Sequence, residues 1–197
     1  MYPKIQLDLP DWIEDFCASW EGEFDTVAGR MEFAIALSAA NVERGSGGPF
    51  GAAVFDLDRS ELVAPGVNLV VPASNSAAHA EMVAIMAAEQ IMGTHNLGAP
   101  GLPELELASS TEPCAMCMGA IPWSGIPRLV CGARHEDAES IGFDEGPKPP
   151  DWRAEYARRG IEVCTDICRG EAIAVLLNYL DAGGEIYTGG GQENTEV

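Results

Sequence analysis

Two short motifs, each placed where a predicted strand gives way to a predicted helix, constrain this chain more than any other feature of its sequence. The first is His79-Ala80-Glu81, and the second is Pro113-Cys114-Ala115-Met116-Cys117. One imidazole and two thiolates are typical ligands of zinc, and three protein ligands leave a fourth tetrahedral position for water or hydroxide. The two motifs therefore predict one catalytic zinc ion per chain, bound at the N-termini of two helices.

Glu81 follows His79 at a spacing that does not share a face in the middle of a helix. In the first turn, however, His79 can face the metal while Glu81 projects beside the metal-bound water. A carboxylate in that place can take the proton of the water and leave a hydroxide as nucleophile at neutral pH. A structural zinc site needs no such carboxylate, so Glu81 indicates catalysis.

The pattern of apolar residues predicts strands alternating with helices after an opening hairpin. Asp25 and Ser76 are candidate N-caps of the first two long helices. Helices are predicted at 25–44, 77–92, 114–123, 152–159 and 171–180, and strands at 50–57, 62–71, 104–109, 128–132 and 161–166. This order predicts an α/β fold of three layers, α/β/α, with a mixed sheet of about five strands.

The chain has 197 residues, of which 47% are apolar, and is most simply organised as one domain. Trp12, Phe16 and Trp20 recur at helical spacing, which predicts a short amphipathic helix in an N-terminal extension, residues 1–24. The domain itself is predicted over 25–182. The glycine-rich residues 183–197 are predicted to be a flexible tail, which is either disordered or folds over the site as a lid.

The charge of the chain limits its partners. Its 11 Lys and Arg against 31 Asp and Glu give a net charge of −20, which argues against nucleic acid and anionic membranes as partners.

No apolar stretch approaches the ~20 residues needed to span a bilayer, and the N-terminus lacks a signal-peptide pattern. Six cysteines are too sparse for a disulfide scaffold. We therefore expect a cytoplasmic protein with a small-molecule partner.

His79-Ala80-Glu81 together with Pro113-Cys-x-x-Cys117 is the signature of zinc-dependent deaminases, and the chain resembles the cytidine deaminase-like superfamily. The similarity covers roughly residues 25–180. Four segments resemble more narrowly the bacterial guanine deaminases, namely 48–54, 76–81, 112–121 and 141–146. The resemblance implies a hydrolase that acts on a C–N bond of a cyclic amidine and converts guanine and water into xanthine and ammonia.

The resemblance also implies roles for particular residues. His79, Cys114 and Cys117 would bind zinc, and Glu81 would carry a proton from water to a ring nitrogen of the nucleobase.

The leaving amine needs a proton as well, and Glu145 is the candidate donor, with Asp144 as a second candidate and substrate contact. For recognition of the purine edge the resemblance points to Asn68, whose amide both donates and accepts hydrogen bonds. Further contacts to the substrate are expected from Phe50, Ala80, Trp123, Phe143 and Tyr187.

Several alternatives stay open at this point. Within the same chemistry, the alternative substrates are another guanine-like heterocycle, such as the aminotriazine ammeline, cytosine and a nucleoside. A tRNA adenosine deaminase needs a basic face that this acidic chain lacks. A zinc-stabilised binding module without activity is a different class, as is a protein that acts only through homodimer contacts. The broadly apolar helices at 77–92 and 113–123 favour a homodimer.

Overall fold

The computed structural model describes residues 2, 4 and 6–187, and its centre is a mixed sheet with helices on both faces. The order of the strands is β2-β1-β3-β4-β5. Strand β1 is antiparallel to β2 and β3, whereas β3, β4 and β5 are parallel. The predicted α/β fold with five strands is therefore confirmed. The strands are β1 (Gly51–Asp56), β2 (Glu61–Val67), β3 (Leu105–Thr111), β4 (Arg128–Ala133) and β5 (Glu162–Cys164).

The helices divide between the two faces of the sheet. In chain order they are α1 (Trp12–Ala18), α2 (Val27–Glu43), α3 (Ala80–Met92), α4 (Ala115–Ser124), α5 (His135–Ser140), α6 (Trp152–Arg158) and α7 (Arg169–Asp181). Successive strand residues point to opposite faces. Ala53 and Phe55 of β1 join a core cluster that includes residues of α1, α2, α5 and α7, whereas Ala52 and Val54 join α3, α4 and α6. The result is the predicted three-layer arrangement.

Two of the predicted helix caps are wrong. The first long helix is capped by Thr26, whose Oγ1 accepts a hydrogen bond from Gly29 N at 3.0 Å, and not by Asp25. The second begins at Ala80, so that His79 rather than Ser76 is its N-cap residue, with an extended backbone (φ −72°, ψ 154°). This shift matters for the site, because a side chain at the N-cap projects off the end of the helix instead of lying along it.

Sequence periodicity did not predict α5, a single short helix of mostly polar residues. Its N-terminus is fixed by Asp137, whose carboxylate accepts a hydrogen bond from Arg134 N at 2.8 Å and ion-pairs with Arg169 of α7. The strands differ from prediction at their ends: β2 stops at Val67, and β3 continues to Thr111. In the part of the chain that the structure describes, no helix is both long enough and apolar enough to cross a membrane.

A buried ion network joins α2 to the middle of the sheet. Glu106 of β3 is fully buried, and its carboxylate accepts a hydrogen bond from Nη2 of Arg30 at 3.2 Å. Nε of Arg128 lies 2.8 Å from the same carboxylate, and Arg30 also donates to the carbonyl of Phe24 at 2.8 Å. Two guanidinium groups therefore neutralise one carboxylate that has no access to water.

Candidate active site

The N-termini of α3 and α4 bring together the three predicted metal ligands. His79 and Cys114 are the N-cap residues of these helices, and Cys117 lies in the first turn of α4. His79 Nδ1 is 3.5 Å from Cys114 Sγ, and the ligand atoms of the three residues all lie within 4.8 Å of one another. Zinc binds nitrogen at about 2.0 Å and sulfur at about 2.3 Å, so this His-Cys-Cys cluster fits one zinc ion.

The two thiols of the His-Cys-Cys cluster ionise unequally. A hydrogen bond from the Cys117 thiol lowers the pKa of Cys114 to about 4 against the opposing effect of burial, and the contact with His79 lowers it further. The same hydrogen bond, together with burial, raises the pKa of Cys117. These contacts favour the thiolate form of Cys114, and thiolate is the form of cysteine that binds zinc.

Glu81 lies against this cluster, as its spacing from His79 predicted. It is only 6% exposed and lines the same cavity as His79 and Cys114. Burial raises the pKa of Glu81 to about 7, and the negative charge of Cys114 adds to the effect. A carboxyl group with a pKa near neutrality both accepts and returns protons efficiently.

A second buried carboxylate, Glu145, reaches the cavity from the loop between α5 and α6. Its carbonyl oxygen accepts a hydrogen bond from Ala115 N at 2.8 Å, which ties this loop to the first turn of α4. Oε2 of Glu145 is buried and finds no hydrogen-bond partner among the described residues. Burial, followed by the negative charge of Cys114, raises the pKa of Glu145 to about 8. Asp144 also lines the cavity, but its carboxylate accepts a hydrogen bond from Gly146 N at 2.8 Å.

Asn68 and Tyr187 meet across the cavity. The buried Asn68 donates from Nδ2 to the Tyr187 hydroxyl at 2.6 Å, and its Oδ1 accepts from Val70 N at 3.3 Å. The cavity beside Asn68 has a volume of about 30 Å³, and a wider pocket of about 410 Å³ adjoins it at His79, Cys114 and Glu145. Tyr187 lines both of these spaces. Of the predicted tail, residues 188–197 lie outside the described part of the chain.

An aromatic wall lies beside Asn68. The ring of Phe143 contacts Phe50 at a centroid distance of 4.9 Å and Tyr187 at 5.4 Å, both edge to face. All three of these residues line the cavity.

Two predicted substrate contacts lie elsewhere. Trp123 is 87% exposed, because it lies nearly two turns beyond Cys117 and on another side of α4. Ala80 is buried in the core cluster of α3, α4 and α6 and does not line the cavity. Their positions do not support a contact with the substrate.

Three cavity residues were missed by the sequence analysis: Ser109, Thr111 and Glu112. The predicted strand ended at Ser109, whereas β3 runs on to Thr111 and remains buried throughout. A run of hydroxyl residues in a strand with both faces covered was the signal that could have identified this polar floor.

Glu112 forms a second polar cluster behind the cavity. Its carboxylate lies 3.0 Å from His135 Nδ1, 2.8 Å from Arg153 Nη2 and 3.8 Å from Lys148 Nζ. Glu112, His135 and Glu136 have ligand atoms close enough to hold a metal ion. The two cationic side chains already neutralise Glu112, however, and oppose a further cation. This cluster instead fixes the junction of β3 and α4 to the loop that carries Glu145.

Comparison with known proteins agrees with this geometry. Residues 28–133 match the family model of the cytidine and deoxycytidylate deaminase zinc-binding region, a segment that includes both motifs. A guanine deaminase of Bacillus subtilis (strain 168) is 37% identical over 115 residues, which are 58% of this chain and 69% of that protein.

Solved structures extend the likeness beyond the matched segment. The structure of a guanine deaminase from Nitrosomonas europaea is 42% identical, covers 92% of this chain and 98% of its own, and has a TM-score of 0.86. A structure in complex with 2,6-diaminopurine is 44% identical, with a TM-score of 0.86, and covers 92% of this chain and 95% of its own. The chain described here therefore belongs to the cytidine and deoxycytidylate deaminase family of the cytidine deaminase-like superfamily.

Proposed function

We propose that this protein is a zinc-dependent hydrolase that deaminates a free purine base, converting guanine and water into xanthine and ammonia. The observation that carries this proposal is the presence of two buried carboxylates, Glu81 and Glu145, in one cavity with the His-Cys-Cys cluster and Asn68. The similarity of the whole domain to guanine deaminases supports guanine as the substrate.

The two carboxylates of the cavity carry out different proton transfers. A zinc ion held by the His-Cys-Cys cluster, with water as its fourth ligand, would lower the pKa of that water and supply the nucleophile. Glu81 takes a proton from the attacking water and gives it to a ring nitrogen of the base. Glu145 then protonates the amine and takes back the proton of the newly added hydroxyl group, so that the C–N bond breaks, ammonia leaves, and a carbonyl group takes the place of the amine.

Recognition of the base falls to Asn68 and the aromatic wall. The amide of Asn68 exchanges the Tyr187 hydroxyl for the donor and acceptor atoms of the purine edge. Phe50 and Phe143 contact the ring, and Asp144 lies at the rim of the cavity.

The reaction is tested directly by its products. Zinc-loaded protein incubated with guanine should form xanthine and ammonia in equal amounts, measured by chromatography and by a coupled ammonia assay. Guanine that remains intact with fully zinc-loaded protein would contradict the proposal.

The proton donor role of Glu145 predicts a pH dependence. Because the pKa of Glu145 is raised to about 8, its carboxyl group carries the proton below that pH and loses it above. We expect the rate of guanine deamination to fall as the pH rises through about 8. Glu145→Gln, which has no such proton to give or lose, should reduce kcat by about 10²-fold and abolish this alkaline limb. If the rate of the variant still falls above about pH 8, another group, such as the substrate itself, causes that fall. This result would refute the role of Glu145 as proton donor.

The position of Tyr187 supports a lid. Deletion of residues 184–197 removes its ring from the aromatic wall and should raise KM for guanine by about tenfold. Deletion of 188–197 alone retains Tyr187 and is the matched control. Unchanged steady-state kinetics after the longer deletion would exclude a lid at this position.

Three further features belong to the same proposal. We propose a homodimer, supported by apolar side chains exposed on α3 and α4, namely Ile91, Met116 and Trp123. Sedimentation equilibrium measures the oligomeric state.

The six free cysteines support a reducing, cytoplasmic compartment, and fractionation of cells tests this localisation. We keep residues 25–182 as the deaminase domain, 1–24 as its extension and 183–197 as the tail, and limited proteolysis tests these boundaries.

A further inference from the structure

A buried asparagine in the last turns of α2, Asn41, makes three hydrogen bonds through its amide. Its Nδ2 donates to the carbonyl oxygens of Gly48 and Asn68, both at 2.9 Å, and its Oδ1 accepts from the Ser46 hydroxyl at 2.8 Å. Asn41 has no exposed surface, and a buried amide is retained at little cost only when it is hydrogen-bonded in this way. The side chain therefore acts as a fixed clamp between two segments of backbone.

One of these segments carries the residue to which we assign purine recognition. The carbonyl of Asn68 accepts from Asn41, while its N–H donates to the carbonyl of Phe50 at 3.0 Å. Both main-chain polar groups of Asn68 are thus bonded within the protein. Because the backbone is held on both sides, only the side chain of Asn68 is free to turn from Tyr187 toward a ligand in the cavity.

The second segment approaches Asn68 more closely than a side chain would allow. A Cβ atom on Gly47 would lie 1.9 Å from the Asn68 carbonyl oxygen and 2.7 Å from Asn41 Nδ2. A Cβ atom on Gly48 would lie 3.1 Å from Asn68 Oδ1. A glycine is therefore required at position 47 for the clamp to close over the backbone of Asn68, whereas a side chain at position 48 would crowd the amide of Asn68.

The clamp extends to the N-terminal helix α1. The indole Nε1 of Trp12 donates to Ser46 Oγ at 3.0 Å, and the guanidinium of Arg44 lies over the Trp12 ring at 5.1 Å. Ser46 in turn donates to Asn41. A continuous chain of hydrogen bonds thus leads from Trp12, which precedes the segment matched by the family model, to Asn68 in the cavity.

We propose that Asn41 is a positioning residue for substrate recognition, which holds the backbone of Asn68 so that its amide meets the purine edge, and that Trp12 and Ser46 support Asn41 from the N-terminal extension. This inference rests on the proposed function, because it acts through the assignment of Asn68 to the base. It gives Trp12 of the N-terminal extension a part in substrate binding.

The test is a double-mutant cycle on zinc-loaded protein with guanine as substrate. Asn41→Ala should raise KM by about tenfold and change kcat by less than about threefold, since a clamp on the reader affects binding of the base. In an Asn68→Ala background the same change should alter KM by less than about twofold, because its effect passes through Asn68. Equal increases of KM in both backgrounds, or a loss confined to kcat, would overturn the proposal.

A matched control separates positioning from general loss of stability. Ser38 lies in the same helix, is buried, and donates its hydroxyl to the carbonyl of Ile35 at 2.7 Å. Ser38→Ala removes a comparable buried hydrogen bond and should leave KM unchanged. If Asn41→Ala does not fold, Ser46→Ala and Trp12→Phe weaken the same chain of bonds with smaller structural change, and each should raise KM by about threefold. An unchanged KM in both would overturn the proposal.

A measurement without substrate distinguishes failure of the clamp on Asn68 from failure of the proposed guanine deamination. Amide hydrogen exchange at Asn68 and Val70 should be faster in Asn41→Ala than in wild-type protein or Ser38→Ala, because the clamp no longer holds this backbone. Equal exchange rates at these amides would refute the clamp even if guanine is turned over. Failure of the proposed function, by contrast, would be seen in the wild-type protein as intact guanine.

Discussion

Replacement of Glu81 by glutamine is expected to lower kcat/KM for guanine by about 10²–10⁴-fold, the range typical for loss of a general acid-base group. Glutamine has nearly the same size and still forms hydrogen bonds, but its amide cannot take a proton from the attacking water. Glu81 is not a member of the His-Cys-Cys cluster, so the variant should retain its zinc. Rates of ammonia release and zinc content by atomic absorption are to be measured on the same preparations.

Glu89→Gln is the matched control for this variant. Glu89 lies in the same helix as Glu81, and burial also raises its pKa, but it does not line the cavity. Its replacement should leave the rate unchanged. A Glu81→Gln protein that keeps both zinc and full turnover would refute the assignment of Glu81 to proton transfer. Loss of zinc together with activity would show a structural role instead.

The largest expected effect on stability is that of Glu106→Ala. This change leaves the guanidinium of Arg30 buried without the carboxylate that neutralises it, and breaking a buried ion pair from one side costs about 3–5 kcal/mol. Because domains of this size are stable by only about 5–15 kcal/mol, the free energy of unfolding should fall by a large fraction. Urea unfolding at a fixed zinc concentration measures it.

An exposed pair provides the comparison. Glu155 and Arg158 are ion-paired on the surface of α6, and both side chains are about half exposed. Glu155→Ala should therefore lower the free energy of unfolding by at most about 1 kcal/mol. If both variants lose the same stability, the network of Glu106 does not join α2 to the sheet in the way described.

The metal-ligand cluster was the part of the site most accessible to sequence reasoning. A His and a Cys-x-x-Cys pair are constrained by coordination chemistry, and their placement at helix N-termini follows from local signals around Pro113. The position of Trp123 was not predictable in the same way. Its proximity to Cys117 in sequence suggested proximity in space, but the rise and rotation of α4 carry it to the surface.

The hydrogen-bond partners of residues outside the two zinc motifs were not predicted where they come from distant parts of the chain. The partner of Asn68, Tyr187, is 119 residues away in sequence, and the partner of Glu106, Arg30, is 76 residues away. Neither local periodicity nor capping reports on such pairs, because both describe only neighbours along one element. The same limit explains why the N-terminal helix appeared to be a simple extension, although Trp12 is hydrogen-bonded to the segment that holds the site.

A comparison of deamination rates tests whether the substrate is a free purine base. Zinc-loaded protein is assayed for ammonia release with guanine, guanosine, cytosine, cytidine, adenine and the aminotriazine ammeline, with Glu81→Gln as the blank. We expect rapid release from guanine and little from guanosine. Turnover of another amine while guanine stays intact would contradict the choice of substrate and leave the zinc chemistry standing. No turnover of any amine would contradict the assignment of the chain as an enzyme.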